Sequence, residues 1–286
     1  MFKPLARILA FFTLYLLIFI ILKPVFMAVY LDLMGDISVA DWFKVIYHGL
    51  PMDCSMAGYF TILPALLTIV GIWAQRSRVL AVINRAYIIL TAAIISIVTV
   101  TDLALYGYWN FRLDTTPFFY FFSAPASALA SVSTLTAIFG FIAVVLLAVA
   151  IYFLIVKTAD RVAPTSSRPI VSTVAATLLT AALFIPIRGS LTVSTMNLSR
   201  SYFSSNQRLN HAAINPLFSL MYSATHQSDF SSQFRYFDED RAAGIFNSLS
   251  ATSPVEQPDS LQPLFTVDRP DIYIIIMESF SAHLLP

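Results

Sequence analysis

The residue of this chain that is best placed for chemistry is Glu278, which directly follows the apolar run 272–277 and precedes Ser279. That run is rich in β-branched side chains, which is typical of a strand buried on both faces of a parallel sheet. Catalytic and ligand-binding groups of open α/β sheets gather at the carboxyl ends of the strands. Glu278 lies where such a group is expected, but acidic residues also end strands simply as solubilising caps.

Two charged residues, Lys23 and Asp102, lie within or at the end of long apolar segments. A charge inside a membrane can line an ion path or belong to a proton relay. Long basic side chains near the end of a spanning helix more often extend to the lipid headgroups. We therefore expect Lys23 to reach the headgroups and Asp102 to lie at the membrane interface.

The composition excludes several classes of protein. Of the 286 residues, 58% are hydrophobic and 12% are charged, whereas soluble domains carry roughly 25% charged residues. Most of this length is therefore not a water-soluble globule. The net charge of +1 argues against a nucleic-acid binder, and the single cysteine, Cys54, excludes an intramolecular disulfide framework and a cysteine-based zinc cluster.

Five stretches are long and apolar enough to be transmembrane helices, which need about 20 residues to cross roughly 30 Å of hydrocarbon. The predicted spans are residues 5–31, 54–75, 84–109, 128–157 and 169–188. Pro117 and Pro125 disfavour a helix before about residue 128. The first stretch is too long for a cleaved signal peptide and lacks a small-residue cleavage site. Residues 1–188 are therefore predicted to form an α-helical membrane domain.

The distribution of basic residues predicts the orientation of this domain, because short cytoplasmic loops carry the excess of Lys and Arg. With the N-terminus inside, the outer loops contain two basic residues, Lys44 and Arg112, against the acidic residues Asp32, Asp36, Asp41, Asp53, Asp102 and Asp114. The inner segments then contain Lys3, Arg7, Arg76, Arg78, Arg85, Lys157, Arg161 and Arg168. Five spans deliver the C-terminal part to the opposite face. We expect a multi-pass protein of the cytoplasmic membrane with an extracytoplasmic C-terminal part.

Residues 189–268 are predicted to be a helical linker. The apolar patch 211–222 favours one or two short helices, divided at Pro216, that pack near the membrane. Residues 237–249 predict a further helix with acidic residues in its first turn. Residues 250–263 contain three prolines, which is typical of an extended connection.

Four passages of the chain together resemble the lipoteichoic acid synthase-like branch of the membrane sulfatase superfamily. They are residues 49–66, 102–114, 201–220 and 269–282, and the last, an apolar strand closed by Glu-Ser-Phe, is the most specific. The resemblance implies a domain of five transmembrane helices, then a short helical linker, and at 269–286 the first strand of an α/β sulfatase-like domain.

The resemblance also implies a function, that of a metal-dependent phosphotransferase. Such an enzyme moves a phosphoglycerol-type group from a membrane lipid to a cell-envelope glycan or lipid acceptor. Glu278 matches the family's first ligand to a divalent metal, Mn or Mg, and hard cations prefer carboxylate oxygens. His283 matches no family ligand. The family's threonine nucleophile and its later ligands lie beyond the position of Pro286, so we expect the chain to be an N-terminal fragment that is inactive by itself.

Two alternatives remain at the level of the sequence. A phosphoethanolamine transferase or another membrane-anchored sulfatase-family hydrolase has a similar architecture, although the Glu-Ser-Phe ending and the Asn215-Pro216 pair favour the synthase-like branch. A membrane scaffold that docks another protein through its tail is the non-enzymatic alternative. The expected partners are the lipid bilayer and a membrane lipid substrate, without nucleic acid.

Overall fold

The structure, a computed structural model, describes residues 2–75, 77–126, 132–190, 193, 195–226 and 236–250. The chain divides into two compact units, Met1–Gln227 and Ser228–Pro286. The apolar run 272–277 that is predicted to be a strand lies outside the described residues, and so do Glu278 and His283. Nearly all of the predicted connection 250–263 lies outside them as well.

The first unit is built from helices. In chain order its described helices are α1 (Lys3–Val29), α2 (Leu31–Met34), α3 (Val39–Trp73), α4 (Arg78–Trp109), α5 (Thr116–Ser123), α6 (Thr134–Lys157), α7 (Pro169–Ala182), α8 (Phe184–Arg188), α9 (Gln207–Ala213) and α10 (Pro216–Thr225). Five helical segments of the described chain are long and apolar enough to cross a membrane, namely α1, α3, α4, α6 and the α7–α8 pair. This confirms the predicted number of spans.

Local sequence signals explain where several of these helices begin and end. The hydroxyls of Ser77 and Ser133 accept hydrogen bonds from backbone N–H groups in the first turns of α4 and α6, which satisfies donors that have no partner inside the helix. Asn110 and Gly189 follow α4 and α8 with positive φ angles of 55° and 78°. The left-handed conformation at these positions stops each helix.

One expectation about proline was wrong. Pro117 does not prevent a helix but lies at the start of α5, where the missing N–H would have had no helical partner. The fourth span correspondingly begins at Thr134 rather than near residue 128.

Two layers of polar side chains mark the ends of the apolar part of the bundle. In the first layer, Arg7 Nη2 lies 2.7 Å from Asp160 Oδ1, and Asn84 Nδ2 donates to the same oxygen at 2.9 Å. The second layer contains Lys23 and Asp102, which are both buried. At 1.5 Å per residue, the layers are about 24 Å apart along α1 and about 27 Å apart along α4. This distance is close to the roughly 30 Å of a bilayer core.

Small residues bring α3 close to its neighbours within this apolar part. A Cβ atom on Gly58 would lie 2.7 Å from Cγ1 of Ile187, and one on Gly71 would lie 2.8 Å from Cγ of Pro164. Membrane helices gain stability mainly from such close packing, because lipid tails are as apolar as the side chains they replace.

Residues 195–226, which we call the cap segment, lie on the end of the bundle opposite the N-terminus. The segment contains a short 3₁₀-helix (Leu198–Ser201), α9 and α10. Leu217 and Phe218 are buried in the same apolar core as Phe19 of α1, and Leu220, Met221 and Tyr222 pack against that core. The expectation that this part of the chain packs against the spans is confirmed.

In the second unit, the structure describes one helix, α11 (Glu239–Ser250). Its first turn contains Glu239 and Asp240, whose negative charges interact favourably with the positive end of the helix dipole. The helix predicted at 237–249 is confirmed.

Candidate functional site

A buried ion pair joins two spans to the cap segment. Lys23 Nζ of α1 lies 2.6 Å from Asp53 Oδ1 of α3, and the two side chains are 3% and 0% exposed. Asn215 Nδ2, from the residue that precedes α10, donates to the same carboxylate oxygen at 2.9 Å. Asn215 also accepts hydrogen bonds from the first backbone N–H groups of α10 through its side-chain oxygen. One side chain therefore both starts α10 and attaches it to the ion pair.

A second buried ion pair lies at the same end of the bundle. Arg112 Nη2 is 3.1 Å from Asp102 Oδ2, and the backbone N–H of Leu113 donates to the other oxygen of Asp102 at 2.8 Å. The guanidinium carbon of Arg112 lies 4.0 Å from the centre of the Phe26 ring. We call Lys23, Asp53, Asp102, Arg112 and Asn215 the buried polar network.

The structure corrects the sequence-based interpretation of Lys23 and Asp102. Lys23 does not extend to the headgroups and Asp102 does not face water, because the two residues are only 4% and 2% exposed. Each is instead paired with an opposite charge, Asp53 or Arg112, and pairing offsets the large free energy of removing a charge from water. Both partners had been assigned to outer loops. The only signal in the sequence was that each charged residue has an opposite charge at a similar predicted depth on another segment.

Several polar atoms in and beside the buried polar network have no partner. Within the described residues, Asp53 Oδ2, Thr99 Oγ1 and Arg112 Nε and Nη1 are buried and make no hydrogen bond. Lys23, Thr99 and Arg112 line a cavity of about 10 Å³, which is enough for about one water molecule. The charges and the size of this cavity suit a molecule as small and polar as water, and the cavity is too small for a substrate.

A glycine allows the ion pair and the cap segment to approach each other. Gly49 lies one turn before Asp53 in α3, and a Cβ atom there would overlap both Cε of Lys23 and the carbonyl oxygen of Ala213. Any larger side chain would therefore push either Lys23 or α9 away from α3.

His211 of α9 is packed against the spans close to the network. Its Nδ1 lies 3.0 Å from the hydroxyl oxygen of Tyr106, and its Nε2 lies 3.2 Å from Nε2 of Gln207. Burial, and to a smaller extent the charge of Arg112, lowers the pKa of His211 below its ordinary value of 6.5. The imidazole is therefore neutral at pH 7.

A larger cavity opens where α3, α8 and the cap segment meet, and we call it the rim cavity. It has a volume of about 350 Å³. Its apolar wall consists of Phe184, Ile187, Met196, Phe218 and Met221, and its polar lining consists of Tyr59, Arg188, Thr195, Tyr222, Thr225 and His226. The His226 ring stacks on the Tyr222 ring, with 4.0 Å between the ring centres.

The metal predicted at Glu278 is not tested, because this residue lies outside the described part of the chain. Among the residues that the structure describes, no group of three or more His, Cys, Asp or Glu side chains could hold a metal ion.

Comparisons of the chain with protein-family models, with curated proteins and with solved structures found no match. The resemblance to the lipoteichoic acid synthase-like branch therefore rests on the four sequence passages. Three of these passages meet in space. Residues 49–66 and 201–220 are joined by Asp53 and Asn215, and residues 102–114 and 201–220 are joined by Tyr106 and His211.

Proposed function

We propose that this chain is the N-terminal membrane part of a metal-dependent phosphotransferase. The enzyme moves a phosphoglycerol-type group from a membrane lipid to a cell-envelope glycan or lipid acceptor. The observation that carries the proposal is that residues 49–66, 102–114 and 201–220 meet at one end of the bundle, through Asp53 with Asn215 and through Tyr106 with His211. Apolar spans alone would give a resemblance to many membrane proteins, whereas these passages share specific polar contacts.

The position of the cap segment supports this role. It lies at the end of the spans where the second layer of buried charges ends the apolar part of the bundle. The reacting phosphoryl group of a lipid is in the headgroup layer, so an enzyme that transfers it must hold its catalytic domain at this depth. The buried polar network holds the cap segment there through Asn215, and the chain continues from the cap segment toward residues 269–286.

In this proposal Glu278 is the first ligand of a divalent metal, Mn or Mg. The metal, when bound, polarises a phosphoryl oxygen and favours the deprotonated nucleophile. A single carboxylate fits the oxygen preference of these ions but does not complete their near-octahedral coordination. The other ligands would have to come from outside the described residues.

The test measures transfer of a labelled headgroup from phosphatidylglycerol in reconstituted vesicles. It uses the complete protein that the gene encodes. We expect transfer that requires Mn²⁺ or Mg²⁺ and that falls at least a hundredfold in Glu278→Gln, because the neutral amide is a far weaker metal ligand. The matched control is Asp240→Asn, which removes an exposed carboxylate of α11 and should leave transfer unchanged.

Two outcomes would overturn the proposal. Transfer from phosphatidylethanolamine but not from phosphatidylglycerol would favour a phosphoethanolamine transferase. Absence of transfer from both lipids, in a sample whose spans are correctly inserted, would favour a membrane scaffold.

A further inference from the structure

We propose that the rim cavity binds one phospholipid of the surrounding bilayer, with the lipid phosphate on Arg188 and the acyl chains along the apolar wall. The inference rests on the proposed function only in regarding this lipid as the donor, since binding itself requires neither metal nor catalysis.

The first argument is depth. Arg188 is the last residue of the 20-residue span Pro169–Arg188, which at 1.5 Å per residue is about 30 Å long and matches the hydrocarbon core. Two hydrogen bonds align this span with α3. Trp73 Nε1 donates to Thr173 Oγ1 at 2.9 Å near one end, and Ser55 Oγ donates to the carbonyl oxygen of Ile187 at 2.8 Å near the other. Arg188 therefore lies at the depth of lipid phosphates.

The second argument is charge. Among the described residues that line the rim cavity, Arg188 carries the one permanent charge, and none is a carboxylate. Within the described chain its guanidinium forms no ion pair or side-chain hydrogen bond, whereas Arg7 and Arg112 are paired with Asp160 and Asp102. A partly buried guanidinium without a carboxylate is suited to a phosphate, which it can bind through two parallel N–H···O bonds.

The third argument is the shape of the cavity. A volume of about 350 Å³ is at the lower end of the range for small-molecule sites, about 300–1,000 Å³. It can take a headgroup and the first atoms of the chains but not a complete lipid. Phe184 lines the cavity and is 63% exposed on the outside of its span, so the remaining acyl chains can continue along the helix surface into the bilayer.

The charge of the cavity adds a preference among headgroups. Arg188 is the one permanent charge among the described residues that line the rim cavity. It attracts the net negative charge of phosphatidylglycerol, whereas the quaternary ammonium of phosphatidylcholine carries a charge that it repels. The site should therefore prefer an anionic lipid such as phosphatidylglycerol over phosphatidylcholine.

The test measures retained lipid on the purified protein by native mass spectrometry, after extraction from phosphatidylcholine nanodiscs that contain about a tenth of phosphatidylglycerol. All samples contain EDTA, so that metal-dependent transfer cannot consume the lipid. We expect one phosphatidylglycerol per protein to survive. Retention should fall about tenfold in Arg188→Gln and recover in part in Arg188→Lys, which keeps the charge but loses the bidentate geometry.

The matched control is Arg200→Gln, because Arg200 is an exposed arginine of the same cap segment that does not line the rim cavity. This variant should retain phosphatidylglycerol within about twofold of the wild-type protein. Equal thermal unfolding midpoints of Arg188→Gln and wild type, measured without lipid, exclude misfolding as the cause of a loss. A second arm adds inorganic phosphate at 10 mM, roughly ten-thousandfold above a micromolar dissociation constant, and should not displace the lipid.

Unchanged retention in Arg188→Gln, equal retention of phosphatidylcholine, or displacement by inorganic phosphate would each overturn the inference. These outcomes are separable from failure of the proposed function. If lipid retention depends on Arg188 but the protein transfers no headgroup, the phosphotransferase proposal is refuted and the lipid site stands. If transfer depends on Glu278 but Arg188→Gln retains lipid as the wild type does, the lipid site is refuted and the phosphotransferase proposal stands.

Discussion

Lys23 of α1 and Asp53 of α3 form a fully buried ion pair, with 2.6 Å between Nζ and Oδ1. The same oxygen accepts a hydrogen bond from Asn215 of the cap segment. One carboxylate oxygen therefore connects two membrane-spanning helices with the segment that lies on them. Such a junction makes the position of the cap segment depend on charges that belong to the spans.

Lys23→Met should destabilise the protein by about 3–5 kcal/mol, because it leaves the charge of Asp53 buried and without its counter-ion. Combining Lys23→Met with Asp53→Leu should recover much of this loss, since no unpaired charge then remains. Thermal unfolding of the purified protein in detergent measures both. Lys44→Met is the control, because Lys44 is 55% exposed beside Asp41 and surface pairs contribute about 0–1 kcal/mol. A Lys23→Met protein as stable as Lys44→Met would contradict the role of the pair.

Gly49→Ala should lower the unfolding midpoint and loosen the cap segment, because the added methyl group overlaps Lys23 and the carbonyl oxygen of Ala213. Gly140→Ala in α6 is a matched control, since a Cβ atom there meets nothing within 4 Å. In that open position the better helix propensity of alanine should stabilise by up to about 1 kcal/mol. Unfolding midpoints that shift in the same direction for both variants would refute this packing argument.

The attachment of α9 should weaken as the pH falls below about 6.5. Burial lowers the pKa of His211, so below that pH the unfolded chain binds a proton that the folded chain resists, and the free energy of unfolding decreases. Above pH 7 both states are neutral at this residue and the contribution is constant. Hydrogen exchange of residues 207–213 at pH 5.5 and 7.5 measures the effect. His211→Gln should remove the part of this pH dependence that is due to the imidazole. If hydrogen exchange of the variant depends on pH as strongly as that of the wild type, His211 is not the titrating group.

Reporter fusions test the orientation of the spans. A fusion after Gly189 should report an extracytoplasmic position, and a fusion between Gln75 and Arg85 should report a cytoplasmic one, because of the eight-to-two distribution of basic residues. In the structure the two fusion sites lie at opposite ends of the apolar part of the bundle. Arg85 lies beside Asp160 in the first polar layer, whereas Arg188, which precedes Gly189, ends the last span. A cytoplasmic signal from the Gly189 fusion would reverse the assignment.

The apolar helices themselves could be predicted from the sequence. Long runs without charge have one stable form in hydrocarbon, because every backbone N–H and C=O must find a partner within the segment. The helix at 239–250 and the short helices on either side of Pro216 could be predicted from local signals as well. Their caps and first turns are decided by residues within one turn of each other.

The partners of the buried charges were decided only by the tertiary structure. Nothing local in the sequence indicates that Lys23 meets Asp53, or that Arg112 turns back after α4 to reach Asp102. These contacts depend on the depth and rotation of each helix relative to the others, which follow from close packing at positions such as Gly49 and Gly58. By itself, the sequence determined which segments are helical and apolar. Which charges are neutralised, and where a lipid can bind beside Arg188, depends on how the packed helices align.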